Sequence, residues 1–463
     1  MKEKEREPDN LTSILRKRKK LLTANPDCLT SKSVSEVVEW CFEDTSCHFR
    51  GITMITLCTG WSVKKLMSNS TLVKFHQMNE TESVGLLKSS WSFPPFAPNA
   101  TNRAIFDATR VEFYIPFPST FFHPLIKARE LELQPSDIEK TINNNLAKLQ
   151  NSKFQKVTIF RLQQHIIHTC HQFGLSSNDI DFIIDKDFKQ SAHSHYGHRS
   201  LTSIYGGLKQ YIDSLHRDTF NRQSDFPYIN TNDRLGGNRV LSDSTVQEVF
   251  RFLIQRKSCH SNSLEKIRIN HNIYSTYVIC ILQLSILLRP SHMSFILLSN
   301  FDLGFKSVVI QDKGQRSRRR IPICLIAQQV LNSYVNYLKS LSEKCRFLDC
   351  DISKKIDQTF ESHEPLFYFF GESGIKIFMP ETHAKMVFSE YYDLPPNWAR
   401  HKVKTILLDE GASPQHVKRM MGHVENFEFN EAKFHSCQYA DLVKISRTIN
   451  DWFESLGVVN WQP

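Results

Sequence analysis

Polar and apolar positions divide the chain into two patterned blocks. Residues 30–216 read as one folded block and residues 241–463 as another. The polar stretch 217–240 (RDTFNRQSDFPYINTNDRLGGNRV), carrying Gly236-Gly237, reads as a linker. In the second block Ser242 and Ser244 are N-cap candidates for a helix through Val246, Val249, Phe250 and Leu253. A buried helix over 272–288 stops at Arg289-Pro290, and Pro290 suits the first turn of a following helix. Residues 306–311 (KSVVIQ) and 320–325 (RIPICL) read as two strands joined by Asp312-Lys313-Gly314 and a basic turn. Pro395-Pro396 opens a helix that runs to Glu410 and stops at Gly411. Ser413-Pro414 caps a short helix ending at Gly422, with His423 just beyond. The last helix places Leu442, Ile445, Ile449, Trp452, Phe453 and Leu456 on one face and stops at Gly457. The pattern predicts a mainly helical α+β fold with a small antiparallel sheet.

At 463 residues the chain exceeds one ordinary core. Apolar residues at 40% and charged residues at 23% predict a folded protein. Glycine is scarce, 16 in all, and neither G-x-G-x-x-G nor G-x-x-x-x-G-K-[ST] occurs, which removes the two commonest phosphate-cradling loops. The longest mostly apolar run, the 12 residues Tyr277 to Leu288 interrupted by Gln283 and Ser285, falls short of the ~20 that span a bilayer. The first 20 residues mix acids with bases around no apolar core, so no secretory signal is expected.

A net charge of +10 and a pI near 9.0 favour an anionic partner, most often nucleic acid. Residues 1–29 carry a charge run ending in Arg16 to Lys20, which serves either as an arm on a phosphate backbone or as a solvated terminus. Eleven cysteines without a C-x-x-C pair fit reduced thiols in a cytoplasmic protein. His193, His195 and His198 (HSHYGH) have no cysteine or carboxylate ligand beside them and read as a polar loop. No metal and no cofactor is expected.

Four basic residues stand at punctuation points: Arg289, Lys313, Arg400 and His423. Lys313 begins a run with Arg316, Arg318, Arg319 and Arg320, five cations in eight residues, dense enough for phosphate contact. Two arginine forks can clamp the nonbridging oxygens of a phosphodiester and stabilise its in-line transition state. A lysine can protonate a leaving oxygen and a histidine can hold or relay a proton. No carboxylate cluster points to metal-activated water. A tyrosine oxygen serves as nucleophile once nearby cations lower its pKa.

These pieces resemble a known family. LLRPSHMSFILLSNFDL (287–303) is similar to the first arginine motif of the tyrosine recombinases, the phage-integrase family. VVIQDKGQRSRRRIPI (308–323) resembles its β-hairpin lysine motif. NWARHKVKTILLDEGASPQHVKRMMGH (397–423) resembles its second box, a His-x-x-Arg helix followed by a Gly-His corner. Arg289 and Lys313 are 24 residues apart, Arg400 and His423 are 23, spacings shared with bacterial members.

The resemblance covers about 241–457 and implies a tyrosine-recombinase-like catalytic domain. Arg289 and Arg400 would bind the scissile phosphate, Lys313 would be the general acid and His423 would assist. Tyr439 would form a 3′-phosphotyrosyl bond, and Arg316, Arg318, Arg319, Arg320 and His401 would touch DNA. Two departures stand out. Asn397 replaces the first histidine of His-x-x-Arg; it can bond phosphate but cannot exchange a proton at neutral pH. The 16-residue step from His423 to Tyr439 is longer than in typical members, so VENFEFNEAKF contains an insertion.

The implied function is a site-specific DNA recombinase or integrase of a mobile element, working without metal or ATP. It would act on double-stranded DNA as a synaptic tetramer in the bacterial cytoplasm, at the nucleoid, with no membrane partner. Two alternatives remain: a type IB topoisomerase-like enzyme, and a DNA-binding accessory protein that keeps the fold but cannot cut.

The first block echoes the second. FRLQQHIIHTCHQFGLSSNDIDFIIDK (160–186) lies on residues 397–423 without a gap, Gly174 falling on Gly411. GITMITLCTGWSVKKLM (51–67) resembles the buried helix and the Arg289 corner, with Trp61 at the arginine. YIPF (114–117) echoes RIPI, and residues 195–215 echo the last helix. Either the block is a degenerate copy that has lost its chemistry (Trp61, Gln163, Lys186), or it is a helical core-binding domain. A copy requires a small sheet near 110–118 and helices at 160–173 and 178–185.

Overall fold

Two hydrophobic cores form, and each gathers one of two structural units. The computed structural model describes residues 28–68, 73–77, 83–88, 105–107, 113–149, 156–185, 198–220, 226, 230–237, 239–256, 264–289, 296–311, 318–371, 374–377, 394, 397–422 and 438–461. Within these the chain is mainly helical with small antiparallel sheets, an α+β fold.

The first unit comprises residues 1–94, 109–195 and 199–236. Its helices are α1 (Ser31–Glu43), α2 (His48–Thr59), α3 (Val63–Leu66), α4 (Ser119–Glu130), α5 (Pro135–Leu149), α6 (Ile159–Thr169), α7 (Ser177–Ile183) and α8 (Leu201–Phe220). A three-stranded antiparallel sheet runs in the order β1 (Val73–Gln77), β2 (Ser83–Lys88), β3 (Tyr114–Pro118). Two short strands, β4 (His198–Ser200) and β5 (Arg234–Gly236), pair separately. Helix α2 is buried along its length from Gly51 to Thr59 and ends at Gly60, whose φ of 70° only glycine adopts freely. A 3-10 turn, Cys170–Phe173, extends α6 to Gly174 at φ 73°, and Ser176 caps α7 in a reciprocal box with Asp179. Phe42 on α1 meets Phe220 on α8 edge to face at 5.3 Å, so the first and last helices pack together.

The second unit comprises residues 95–108, 196–198 and 237–463. Its elements are α9 (Asp243–Gln255), α10 (Leu264–Ile286), β6 (Ser307–Gln311), β7 (Arg318–Pro322), α11 (Leu325–Leu348), α12 (Cys350–Phe360), β8 (Tyr368–Gly371), β9 (Gly374–Ile377), α13 (Trp398–Asp409), α14 (Pro414–Met421) and α15 (Tyr439–Ser455). Helix α10 carries an unbroken buried run from Ile273 to Ile286, the signature of a helix surrounded by others, and Leu287 follows at φ 50°. Helix α13 ends before Gly411 at φ 76°, and α14 ends on Gly422 at φ 66°. Trp452 on α15 donates from Nε1 to Asp243 Oδ1 on α9 at 2.9 Å, again joining first helix to last.

Three expectations need correction. Residues 95–108 and 196–198 go with the second unit, not with the block 30–216. The stretch 217–240 is not a plain linker: α8 runs through Phe220, β5 occupies 234–236, and the units divide between Gly236 and Gly237. The second strand of the hairpin is 318–322 rather than 320–325, because Cys324 stands at the N-cap of α11 and Leu325 begins the helix. The proposed arm, residues 1–29, falls almost wholly outside the described residues.

The units share an order of elements. Each has an amphipathic helix, a buried helix ending at a positive-φ residue, antiparallel strands and two more helices. Each then has a helix, a positive-φ glycine, a short helix, and a last helix packed on the first. The hairpin β8–β9 has no counterpart in the first unit among the described residues.

Candidate functional site

The β6–β7 hairpin sorts its arginines by strand alternation. Register pairs Val308 with Ile321 and Ile310 with Arg319, and Val308, Ile310 and Ile321 are buried. Arg319 shares that inward face and donates NH1 to the carbonyls of Arg419, at 3.3 Å, and Met420. Arg318 and Arg320 take the outward face and are exposed.

Arg320 is tethered from below. Its Nε donates to Ser307 Oγ at 2.7 Å and its NH2 to Asp302 Oδ2 at 2.9 Å. Burial works to raise the Asp302 carboxyl, but the Ser307 N–H and hydroxyl and the Arg320 guanidinium outweigh it and hold the group below its ordinary value. The far side of Arg320 is open to Tyr439, whose ring centroid lies 5.4 Å from the guanidinium carbon, within cation–π range. Tyr439 is the first residue of α15, following the N-cap Gln438, and its side chain is 43% exposed. Arg318, Arg319, Arg320, Arg419 and Tyr439 line one groove of about 400 Å³ over Ile321 and Leu442. A neighbouring groove of about 540 Å³ shares Arg320 and Tyr439 and adds Lys306 and Arg447.

Arg400, expected at the scissile phosphate together with Arg289, is instead 1% exposed and directs both terminal nitrogens to backbone carbonyls. Its NH1 donates to the Leu287 carbonyl and its NH2 to the Met421 carbonyl at 3.0 Å. Both acceptors sit at helix C-termini, where the last carbonyls have no intrahelical partner. Leu287 is two residues before Arg289, and Met421 is two residues before His423. Arg400 therefore fastens together the two corners that carry the other expected phosphate ligands. Arg319 bonds the carbonyl adjacent to the one that Arg400 bonds, which links the hairpin to the same corner.

The remaining candidates divide. Arg289 is half-buried, and no hydrogen bond or ion pair engages it among the described residues. Asn397 precedes α13 by one residue, and its carbonyl accepts the backbone N–H of Arg400 at 3.0 Å. His401, expected at the DNA, is 5% exposed: α13 is buried from Trp398 to Thr405, so the neighbour of Arg400 turns inward too. Lys313, Arg316 and His423 lie outside the described residues. So do His193 and His195, whereas His198 is buried with Nδ1 2.9 Å from the Gly237 carbonyl. Among the described residues no cluster of three metal-ligating side chains occurs, and no helix is long and apolar enough to cross a membrane.

Arg419, Arg447 and Lys306 escaped the sequence reading. Arg419 sits in the last turn of α14, within KRMMGH, where the glycine-histidine corner drew attention instead. Arg447 is two turns along α15 from Tyr439, a spacing that places both on one face.

No family model matches the chain, and no curated protein or solved structure does either.

Proposed function

We propose that the chain breaks and rejoins double-stranded DNA through a phosphotyrosyl bond to Tyr439, as the recombinase motifs imply. The observation that carries the reading is the Arg400 bridge, which draws the Arg289 corner and the His423 corner to one guanidinium. Phosphate binding there would draw ligands from three distant stretches of sequence, and the bridge joins Leu287, Arg400 and Met421, one residue in each. The arginine-lined groove beside Tyr439 supplies cations along the path of a nucleic-acid backbone.

In the proposed reaction the Tyr439 oxygen attacks phosphorus as the bond from phosphorus to the 5′ oxygen breaks. Lys313 protonates the departing 5′ oxygen, which leaves as a 5′ hydroxyl, and the Tyr439 proton leaves to solvent or to His423. The 3′ phosphate is then esterified to the phenol. A 5′ hydroxyl from another strand reverses the steps, so the number of phosphodiester bonds is conserved and no external energy source enters. Arg289 neutralises the nonbridging oxygens. Asn397, one turn before Arg400, donates a hydrogen bond where a histidine could also shuttle a proton. Integration or excision of a mobile element is the setting this chemistry serves.

A second reading, a binder that does not cut, draws on one observation: the described contact of Tyr439 is with Arg320, not with Arg289 or Arg400. Incubating the full chain with nicked duplexes in excess EDTA separates the two, because only the enzyme leaves a protein–DNA adduct that survives denaturant.

The first unit fits a degenerate copy of the same fold. It has the sheet strand at 114–118 and helices at 159–169 and 177–183 about Gly174. Its corner tie is made by a different residue. Trp61, 1% exposed, donates Nε1 to the Ile183 carbonyl at the end of α7 at 2.6 Å; in the overlay Ile183 falls on Met420, one residue before the carbonyl that Arg400 bonds. Counting from the positive-φ residues Gly60 and Leu287 puts Ser62, not Trp61, opposite Arg289. Lys65 covers the Trp61 ring at 3.9 Å and pairs with Asp185, so the corner is filled by side chains of its own.

A further inference from the structure

The Arg400 helix is gripped on two sides, and only one grip belongs to the site described above. Arg400 and Lys402 are two residues apart, about 200° around a helix, and so point in opposite directions. Lys402 is 4% exposed, and its Nζ lies 3.2 Å from Asp243 Oδ1 and 3.6 Å from Asp107 Oδ2. Asp243 begins α9. Asp107 comes from residues 105–107, which the chain order places between β2 and β3 but which belong to the second unit.

This short segment is built into that unit. Phe106 pairs with Leu241 in an antiparallel bridge and is 7% exposed in the core. The Asp107 N–H donates to the Val240 carbonyl at 2.8 Å, and the Ile105 carbonyl accepts from the Ser242 N–H and the Thr245 hydroxyl, each at 3.0 Å. The Asp107 carboxylate also faces His198, whose Nε2 is 3.9 Å away. An ammonium taken out of water is costly to leave without a counter-charge. Asp107 and Asp243 both provide that charge.

We propose that residues 105–107 are an in-chain brace for the Arg400 helix and that Asp107 is a positioning residue, aiming Arg400 through Lys402. Its effect on cleavage rests on the strand-transfer reading, whereas its effect on α13 does not. The test uses the full chain as wild type, Asp107→Asn, which keeps the shape and removes the charge, and Asp107→Glu, which keeps the charge. Hydrogen exchange at amides 403–408 should accelerate at least tenfold in Asp107→Asn and recover in Asp107→Glu, with exchange in α12 unchanged. Equal exchange in α13 for wild type and Asp107→Asn overturns the brace. Uniform acceleration that includes α12 overturns it as well, since that is general destabilisation. On nicked DNA, Asp107→Asn should form adduct about tenfold more slowly at unchanged affinity; an unchanged rate contradicts the positioning role. A wild type that forms no adduct sinks the strand-transfer reading and leaves the exchange comparison to decide the brace.

Discussion

Arg400 and Met421 are joined by a 3.0 Å hydrogen bond from guanidinium to carbonyl, and Trp61 reaches the Ile183 carbonyl at 2.6 Å in the first unit. In each case a buried donor satisfies a carbonyl at the end of the short helix that follows a positive-φ glycine. One unit uses a charged fork for the tie, the other an indole. A fork leaves further N–H donors on the same plane, which an indole does not.

Removing the fork should cost stability as well as chemistry. Arg400→Ala deprives the Leu287 and Met421 carbonyls of their donors, and Arg400→Lys replaces a planar fork by a single ammonium. Each charged hydrogen bond contributes about 1.5–3 kcal/mol, so Arg400→Ala should lower unfolding free energy by about 3 kcal/mol or more. Arg400→Lys should recover only part of it. Urea melts of the full chain measure this, and an unchanged midpoint in Arg400→Ala would mean that the bridge is absent.

Trp61 should be indispensable to folding and irrelevant to a phosphate. Trp61→Phe keeps most of the packing and loses the bond to Ile183, a loss of about 1 kcal/mol or somewhat more. Trp61→Ala empties a fully buried site and should cost about 3–5 kcal/mol. Calorimetry on the two variants gives the order; equal loss in both would place the stabilisation in the hydrogen bond instead of the packing.

Two buried histidines make stability depend on pH. Burial lowers His165 to about 4 and His271 to about 3, the latter despite its contact with the Tyr368 carbonyl. In the unfolded chain both titrate near ~6.5 and bind protons that the folded chain excludes. Their neutral forms therefore stabilise the fold fully above about pH 6.5, and that contribution falls as pH drops toward the folded values. Between about pH 6.5 and 5, above most carboxylates, the urea midpoint should decline, and it should decline less in His165→Gln/His271→Gln. A wild-type midpoint that stays flat over that window contradicts the burial of both rings.

The outward arginines should set affinity through charge. Arg318→Ala and Arg320→Ala each remove one cation from the groove beside Tyr439, and each should reduce the slope of log affinity against log salt by about 0.9. Arg319→Ala should instead lower stability, because its guanidinium is spent on the Arg419 and Met420 carbonyls. Binding isotherms at several salt concentrations separate the three.

Most of the second unit was legible because its boundaries are written in local chemistry. Ser242 caps α9 by accepting from the Thr245 N–H, as its place before an amphipathic stretch implies. Gly411, Gly422 and Gly457 all take positive φ where the helices stop. What stayed hidden is long-range. Residues 105–107 look like loop, and only pairing with Val240 and Leu241 shows which core they join. Arg400 carries a surface residue's chemistry, and its burial depends on two carbonyls 113 and 21 residues away, which no local pattern encodes. His401 was misplaced for the same reason: a polar residue beside a motif arginine gives no local sign that the helix is surrounded.

Tyr439 carries the proposed chemistry. Its phenol is exposed beside Arg320, so Tyr439→Phe should leave folding and DNA affinity unchanged. Nicked duplexes from the DNA flanking the gene, incubated with the full chain in EDTA, trap the cleaved strand when the short downstream fragment bearing the new 5′ hydroxyl diffuses away. Proteolysis and mass spectrometry of the adduct should place a 3′-phosphonucleotide on Tyr439, and Tyr439→Phe should yield no adduct. A phosphonucleotide on Tyr391 or Tyr392, which lie outside the described residues, or adduct persisting in Tyr439→Phe, would contradict the account.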